Sequence, residues 1–416
     1  MTQCRLTCRA VPSVWAQWMS VHPILSKKQM PSDDVPQQLL TLSIELLRSR
    51  ELPELAIGGA WRCARDCMDN RPGLAPVAME LGLFDLAVAD LRALGSPADV
   101  VSISRGKAGR GQALLEAPYE VTRGFAGQQA RPDLEAAVST GLFDLCVEMV
   151  VSVASAGVEG LQDTNHAVLY YALSWLAKCG SLAGCEATIR SAATELAFCL
   201  ENSLDHGEEL GATTGALAAR VCCSVFGRDE GGSTFTFTPL HIKMLTDHWS
   251  QLIRAVGYRA DQKPTGDSIY AAQLCVSDAN KPLLIANEMF VPYLVDALLL
   301  DPEHPRAGMK EELKAWCQQH HCEALAQLAV HDGSREALLR DGSVVPALEA
   351  VMKDGLSEEA RELAAAAVSA LSERELVLAT EGQKHVMLSC EFRARLICIA
   401  CLMLDCCFGC GREAAG

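Results

Sequence analysis

Aromatic residues are scarce in this chain, 5% of 416 residues. Long alternating runs of β-branched residues, which a half-buried sheet needs, are scarce as well, so helices packed through Ala and Leu are favoured over sheets. No run reaches the roughly 18 apolar residues of a membrane span, and the longest apolar run near the C-terminus is interrupted by Asp405. Positive charge is also short: 36 Lys and Arg face 52 Asp and Glu, a formal charge of −16. That balance repels nucleic acid and anionic membrane, and it suits a protein or peptide partner carrying basic segments.

The signatures of common catalytic sites are missing too. There is no His-Glu-x-x-His, no Gly-x-Ser-x-Gly and no glycine-rich dinucleotide turn after a strand. Gly106-Lys107 sits in a glycine-rich stretch, but Ala108 follows where a phosphate loop needs Ser or Thr, so a solvated loop is expected. Cys317 and His321 fall at i and i+4 on a helix and share a face, which supplies two zinc ligands where four are needed. An ordinary packed helix is the better reading. Cys398-x-x-Cys401 and Cys407-x-x-Cys410 stand five residues apart, short of the roughly 12 to 20 that let a zinc ribbon or finger fold between its pairs. Exposed cysteines there would also accept palmitate. No enzyme activity, cofactor or metal is expected.

What the chain has in quantity is apolar residues, 50%, and cysteine, 19 residues. The cysteines are scattered singly through apolar helical contexts, as at Cys146, Cys199 and Cys275. That is how buried thiols look in a reducing compartment, and it points to the cytoplasm. Residues 1–35, with Arg5, Arg9, Lys27 and Lys28 near their start and end, read as a disordered tail; Ser and Arg are too sparse for a transit peptide.

Internal repetition organises the rest. Cys322 to Met352 reads as a helix, a break at His331-Asp332-Gly333-Ser334, a short helix, a break at Asp341-Gly342-Ser343, and a longer helix with Pro346 in its first turn. Residues 272–297 repeat residues 326–351 at an offset of 54, with 9 of 26 positions identical. Gln273 and Gln327, Leu274 and Leu328, Asp278 and Asp332, and Pro292 and Pro346 are among the matched pairs. The extra length relative to a period of about 40 to 47 is assigned to an elongated turn at Asp301 to Gly308. A second echo pairs Arg71-Pro72 and Gly82-Leu83-Phe84-Asp85-Leu86 with Arg131-Pro132 and Gly141-Leu142-Phe143-Asp144-Leu145. Leu94 to Gly111 and Arg228 to Thr238 read as inserted loops. Units of this kind cannot bury an apolar face alone and must stack.

This pattern resembles the armadillo family, in which a polar turn with Asn or Asp, an acid-Gly turn and a V/I-P-x-L helix recur; ALSWLA at Ala172 to Ala177 is similar to the family's third-helix pattern ALSNLA. The resemblance implies an all-α, right-handed α-solenoid of about six divergent repeats over residues 36–380. It further implies a non-catalytic scaffold that holds its partner along a concave groove lined by third helices. At the position of the family's groove Asn stand Trp175, Gln273 and Gln327. Gln would make the same amide contacts, and Trp would offer a face to a basic partner.

Residues 381–416 change character. His385-Val386-Met387-Leu388-Ser389 resembles the opening strand of a TIR domain, with Cys390 in place of an aromatic residue. Too little chain follows to complete such a domain, so a truncation near Ser389 and a poorly ordered tail are expected. The alternative function is then the regulatory armadillo portion of a TIR protein that signals or cleaves NAD. A nuclear transport adaptor is a weaker third reading, because it would need Asn and Trp pairs in successive repeats.

Overall fold

Ala, Leu and Cys at helical spacing, punctuated by Gly and Pro, produce helices and nothing else of length. A computed structural model describes residues 34–49, 54–103, 108–125, 128, 130–180, 182–204, 209–229, 235–254 and 267–379. Helix accounts for about 80% of it, and the described residues hold no strand; a single antiparallel bridge joins Ser102 to Thr164. The described part of the protein is all-α. The 1–35 tail before residue 34 and the TIR-like stretch 381–416 lie outside the described residues.

The helices gather into two compact units, one drawn from residues up to Leu145 with Asp163–Tyr171, the other from Cys146–Gln162 and the chain from Ala172 on. In the first, α1 (Asp34–Ser49) packs on α2 (Glu54–Asn70), and α2 packs on a later long helix. Between them come α3 (Ala75–Glu80), α4 (Leu83–Leu94) and α5 (Pro97–Val101), and the later helix is α6 (Ala108–Gly124). The sequence reading made Leu94 to Gly111 a loop, and the structure corrects this. Ser96 and Asp99 form a reciprocal capping box that starts α5 within the stretch, and α6 begins at Ala108. A Ser followed three residues later by an acid is the signal that composition alone passed over.

The GLFDL echo has a backbone cause. Gly82 and Gly141 adopt φ of 66° and 83°, the left-handed region, and each turns the chain into the next helix, α4 in one case and α8 (Leu142–Ser155) after α7 (Pro132–Ser139) in the other. The Arg48 side chain donates to the Leu81 carbonyl beside the first glycine, and the Arg92 guanidinium lies against the second. A side chain at either glycine would meet backbone strain rather than crowding.

The second unit continues through α9 (Gly157–Gln162), the C-terminal part of α10 (His166–Cys179), α11 (Cys185–Ser191), α12 (Ala193–Leu204), α13 (Glu209–Phe226), α14 (Pro239–Arg254), α15 (Asp267–Val276), α16 (Lys281–Ala286), α17 (Phe290–Asp296), α18 (Glu311–Ala329), α19 (Asp332–Arg340), α20 (Val344–Asp354) and α21 (Glu358–Ala379). Its long helices pack in chain order: α12 on α13, α13 on α15, α15 on α18 and α18 on α21. Pro292 and Pro346 lie in the first turns of α17 and α20, where a missing amide costs nothing. Side chains tie the helices of this unit together. Gln318, buried on α18, donates to the Leu298 carbonyl at 3.0 Å and accepts from the Leu356 amide at 3.0 Å. Asn280 reaches the Gly227 carbonyl at 3.0 Å, and Arg190 forks onto Asp229 while lying over the Phe226 ring.

The 301–308 segment is a turn, as its Pro and Gly content predicts, and it is built around His304. The His304 amide bonds the Asp301 carbonyl, and its Nδ1 accepts from the Arg306 amide at 3.1 Å. Leu299, immediately before it, has φ of 56°, a left-handed conformation for a residue that also buries its side chain.

Candidate functional site

Gln273 and Gln327 occupy equivalent places on α15 and α18, two helices in direct contact. Gln327 is half-buried. Gln273 is only 7% exposed, and its carboxamide oxygen has no hydrogen-bond partner. Such orphaned acceptors are few in folded proteins, since each costs roughly 1–3 kcal/mol in lost solvation. Trp175 is different. It is fully buried in α10 and ranks among the largest enclosed side chains. Ala172 to Leu176 are buried at every position, so this stretch of helix is enclosed on all sides and leaves the indole no face for a partner. The expected stacking contact at Trp175 is therefore not available in this structure.

The Cys317 and His321 pair share a face of α18, but the imidazole is already committed. A carbonyl can only accept, so Nδ1 carries the proton that bonds the Cys317 carbonyl at 2.7 Å. Nε2 then accepts from the Tyr293 hydroxyl at 3.1 Å. Tyr293 in turn lies against Trp249, ring centres 5.8 Å apart. Burial pushes His321 down to about 4, so the ring is neutral at ordinary pH. Both nitrogens serve the core, and neither lone pair is left for a metal.

The thiols are equally inward-looking. Every cysteine among the described residues is a buried thiol outside any disulfide. Burial pushes Cys199 and Cys322 up to about 12 and raises Cys222 and Cys275 as well, which suppresses thiolate at neutral pH. Cys63 alone is lowered, by a hydrogen bond from the Cys67 thiol one turn on, and its enclosure between α1 and α2 keeps it from solvent.

The first unit carries a polar strip that the sequence reading missed. Arg65 on α2 bonds Asp66 and, at 3.0 Å, Glu116 on α6. Arg123 on α6 meets Asp69 on α2 and Glu120 on its own helix. Trp61 donates to Asp90 at 2.9 Å, with Arg110 nearby. Beside the two glutamates stand Tyr119 and, from the start of α10, Tyr170 and Tyr171. The Tyr119 and Tyr171 rings meet edge to face at 5.5 Å and 69°. Tyr170 and Tyr171 do so at 5.2 Å and 89°. Burial raises the Tyr171 phenol, and its hydrogen bond to Glu116 and the charges of Glu116 and Glu120 add to the shift. The available signal was Glu116 and Glu120 one helical turn apart with Tyr119 between them, and a Tyr-Tyr pair downstream.

No family model matches the chain, and no curated protein matches its sequence.

Proposed function

We propose that this chain is a non-catalytic interaction scaffold of the armadillo type, an α-solenoid of about six repeats that binds an extended protein segment along its third helices. It works in a reducing compartment, the cytoplasm, where its buried thiols stay free. The sequential packing of α13, α15, α18 and α21 supports the repeat reading, because each unit buries its apolar face on its neighbours.

One observation carries the binding reading: the unsatisfied carboxamide oxygen of Gln273 beside the half-buried Gln327. A buried acceptor without a donor is destabilising in the free protein, and it becomes favourable when the side chain turns outward and meets a partner's backbone amide. Gln327, one repeat on, takes the next amide of the same extended segment.

The test follows from that asymmetry. Peptides selected from a random extended library against the full chain are measured by fluorescence polarisation on wild type, Gln273→Leu and Gln327→Ala. Gln273→Leu should leave thermal stability equal or higher, because it removes an orphaned group, while weakening binding by about tenfold, the worth of one hydrogen bond in a desolvated site. Unchanged affinity in both variants would remove the groove reading.

A further inference from the structure

The tyrosine cluster of the first unit lies on other helices from the glutamine pair and carries an inference that does not depend on it. Three of the chain's six tyrosines meet at one place, with Tyr171 at the corner and Tyr119 and Tyr170 set edge to face against it. All three rings are half-buried, while the carboxylates of Glu116 and Glu120 are set deeper, 14% and 8% exposed. Aromatic faces are negative, and so are the carboxylates behind them. The corner ring is held between the Tyr119 and Tyr170 rings, with Glu116 beside its hydroxyl.

Charge is not balanced here. Within the strip's ion pairs, Arg65, Arg110 and Arg123 face five carboxylates, those of Asp66, Asp69, Asp90, Glu116 and Glu120. The excess is negative, and it sits against aromatic rings in a partly desolvated setting, where an incoming cation gains both ring attraction and ion pairing. A neutral or anionic group gains neither.

We propose that Tyr119, Tyr170 and Tyr171, backed by Glu116 and Glu120, form a receptor for a cationic side chain, an arginine guanidinium or lysine ammonium, of a partner protein. Rigid aromatic rings lose little conformational freedom on binding, which suits them to anchor such a group. The receptor is a specificity element: the amide contacts at Gln273 and Gln327 read backbone, whereas this cluster reads charge.

The experiment uses the full chain labelled with 3-fluorotyrosine and observed by fluorine NMR, with resonances assigned by single Tyr→Phe replacements. The probe is an Arg-Gly-Arg-Gly-Arg peptide, and the control is the same peptide with citrulline for arginine. The expected result is that the Tyr119, Tyr170 and Tyr171 resonances shift with the arginine peptide and not with citrulline, while Tyr293 stays fixed. Glu116→Gln and, as an independent variant at a half-buried position, Tyr170→Leu should each weaken the response about fivefold or more. Gln273→Leu should leave it intact, which separates this site from the groove. Equal shifts with citrulline, no shift at millimolar arginine peptide, or full binding in both variants would each overturn the proposal.

Discussion

Acid should loosen this protein through His321, and the size of the effect can be worked out. Buried against Tyr293 and the Cys317 carbonyl, the ring takes up a proton only near pH 4 when folded, whereas in the unfolded chain it does so near pH 6.5. Between those values the unfolded state binds one more proton than the folded state. Stability is therefore full above about pH 6.5 and falls as pH drops through the window, by about 1.4 kcal/mol per unit and about 3 kcal/mol in all. His321→Gln keeps a polar, uncharged side chain and removes the titration. Urea denaturation of both proteins from pH 7 to pH 4, followed by tryptophan fluorescence, isolates the term as the difference between the two curves. The difference should change by about 3 kcal/mol across the series, with wild type losing ground toward low pH. Parallel curves would refute the argument that His321 is held neutral by its surroundings.

Two further outcomes are expected. Gly141→Ala should cost about 1–2 kcal/mol because of its left-handed φ, while Gly58→Ala, inside α2 with open space around it, should raise stability by about 0.5–1 kcal/mol; thermal melts of the two variants should move in opposite directions. Gln318→Leu should lower stability by about 2–4 kcal/mol by stranding the Leu298 carbonyl and the Leu356 amide, and hydrogen exchange at Leu356 should accelerate in that variant.

Much of the local structure could be read from the sequence because its causes are local. The helix, short helix and longer helix of Cys322 to Met352 appear as the C-terminal part of α18, then α19 and α20, with Pro346 where a first turn tolerates it. The capping at His331 was only half visible. The break there is a cap, with the His331 ring accepting from the Ser334 amide so that α19 starts at Asp332. The GLFDL echo was legible as repetition, but its reason, a left-handed glycine, belongs to backbone geometry. Trp175 was misplaced because one helix's own pattern does not reveal how many neighbours enclose it. The tyrosine cluster escaped for a related reason: its members come from α6 and α10, and helix pairing across some fifty residues of chain brings them together.

The Gln318 bridge bears on how the second unit would respond to a pull. Its single side chain fastens the end of α17 to the start of α21, at Leu298 and Leu356, 58 residues apart in the chain. A stack joined only by apolar faces can slide and lengthen gradually, since such contacts have no preferred direction. Hydrogen bonds do, and they fail over a fraction of an ångström. Stretched between Leu298 and Leu356, this segment should act as a stiff link that holds its spacing until both bonds break together, so that its compliance comes as a step.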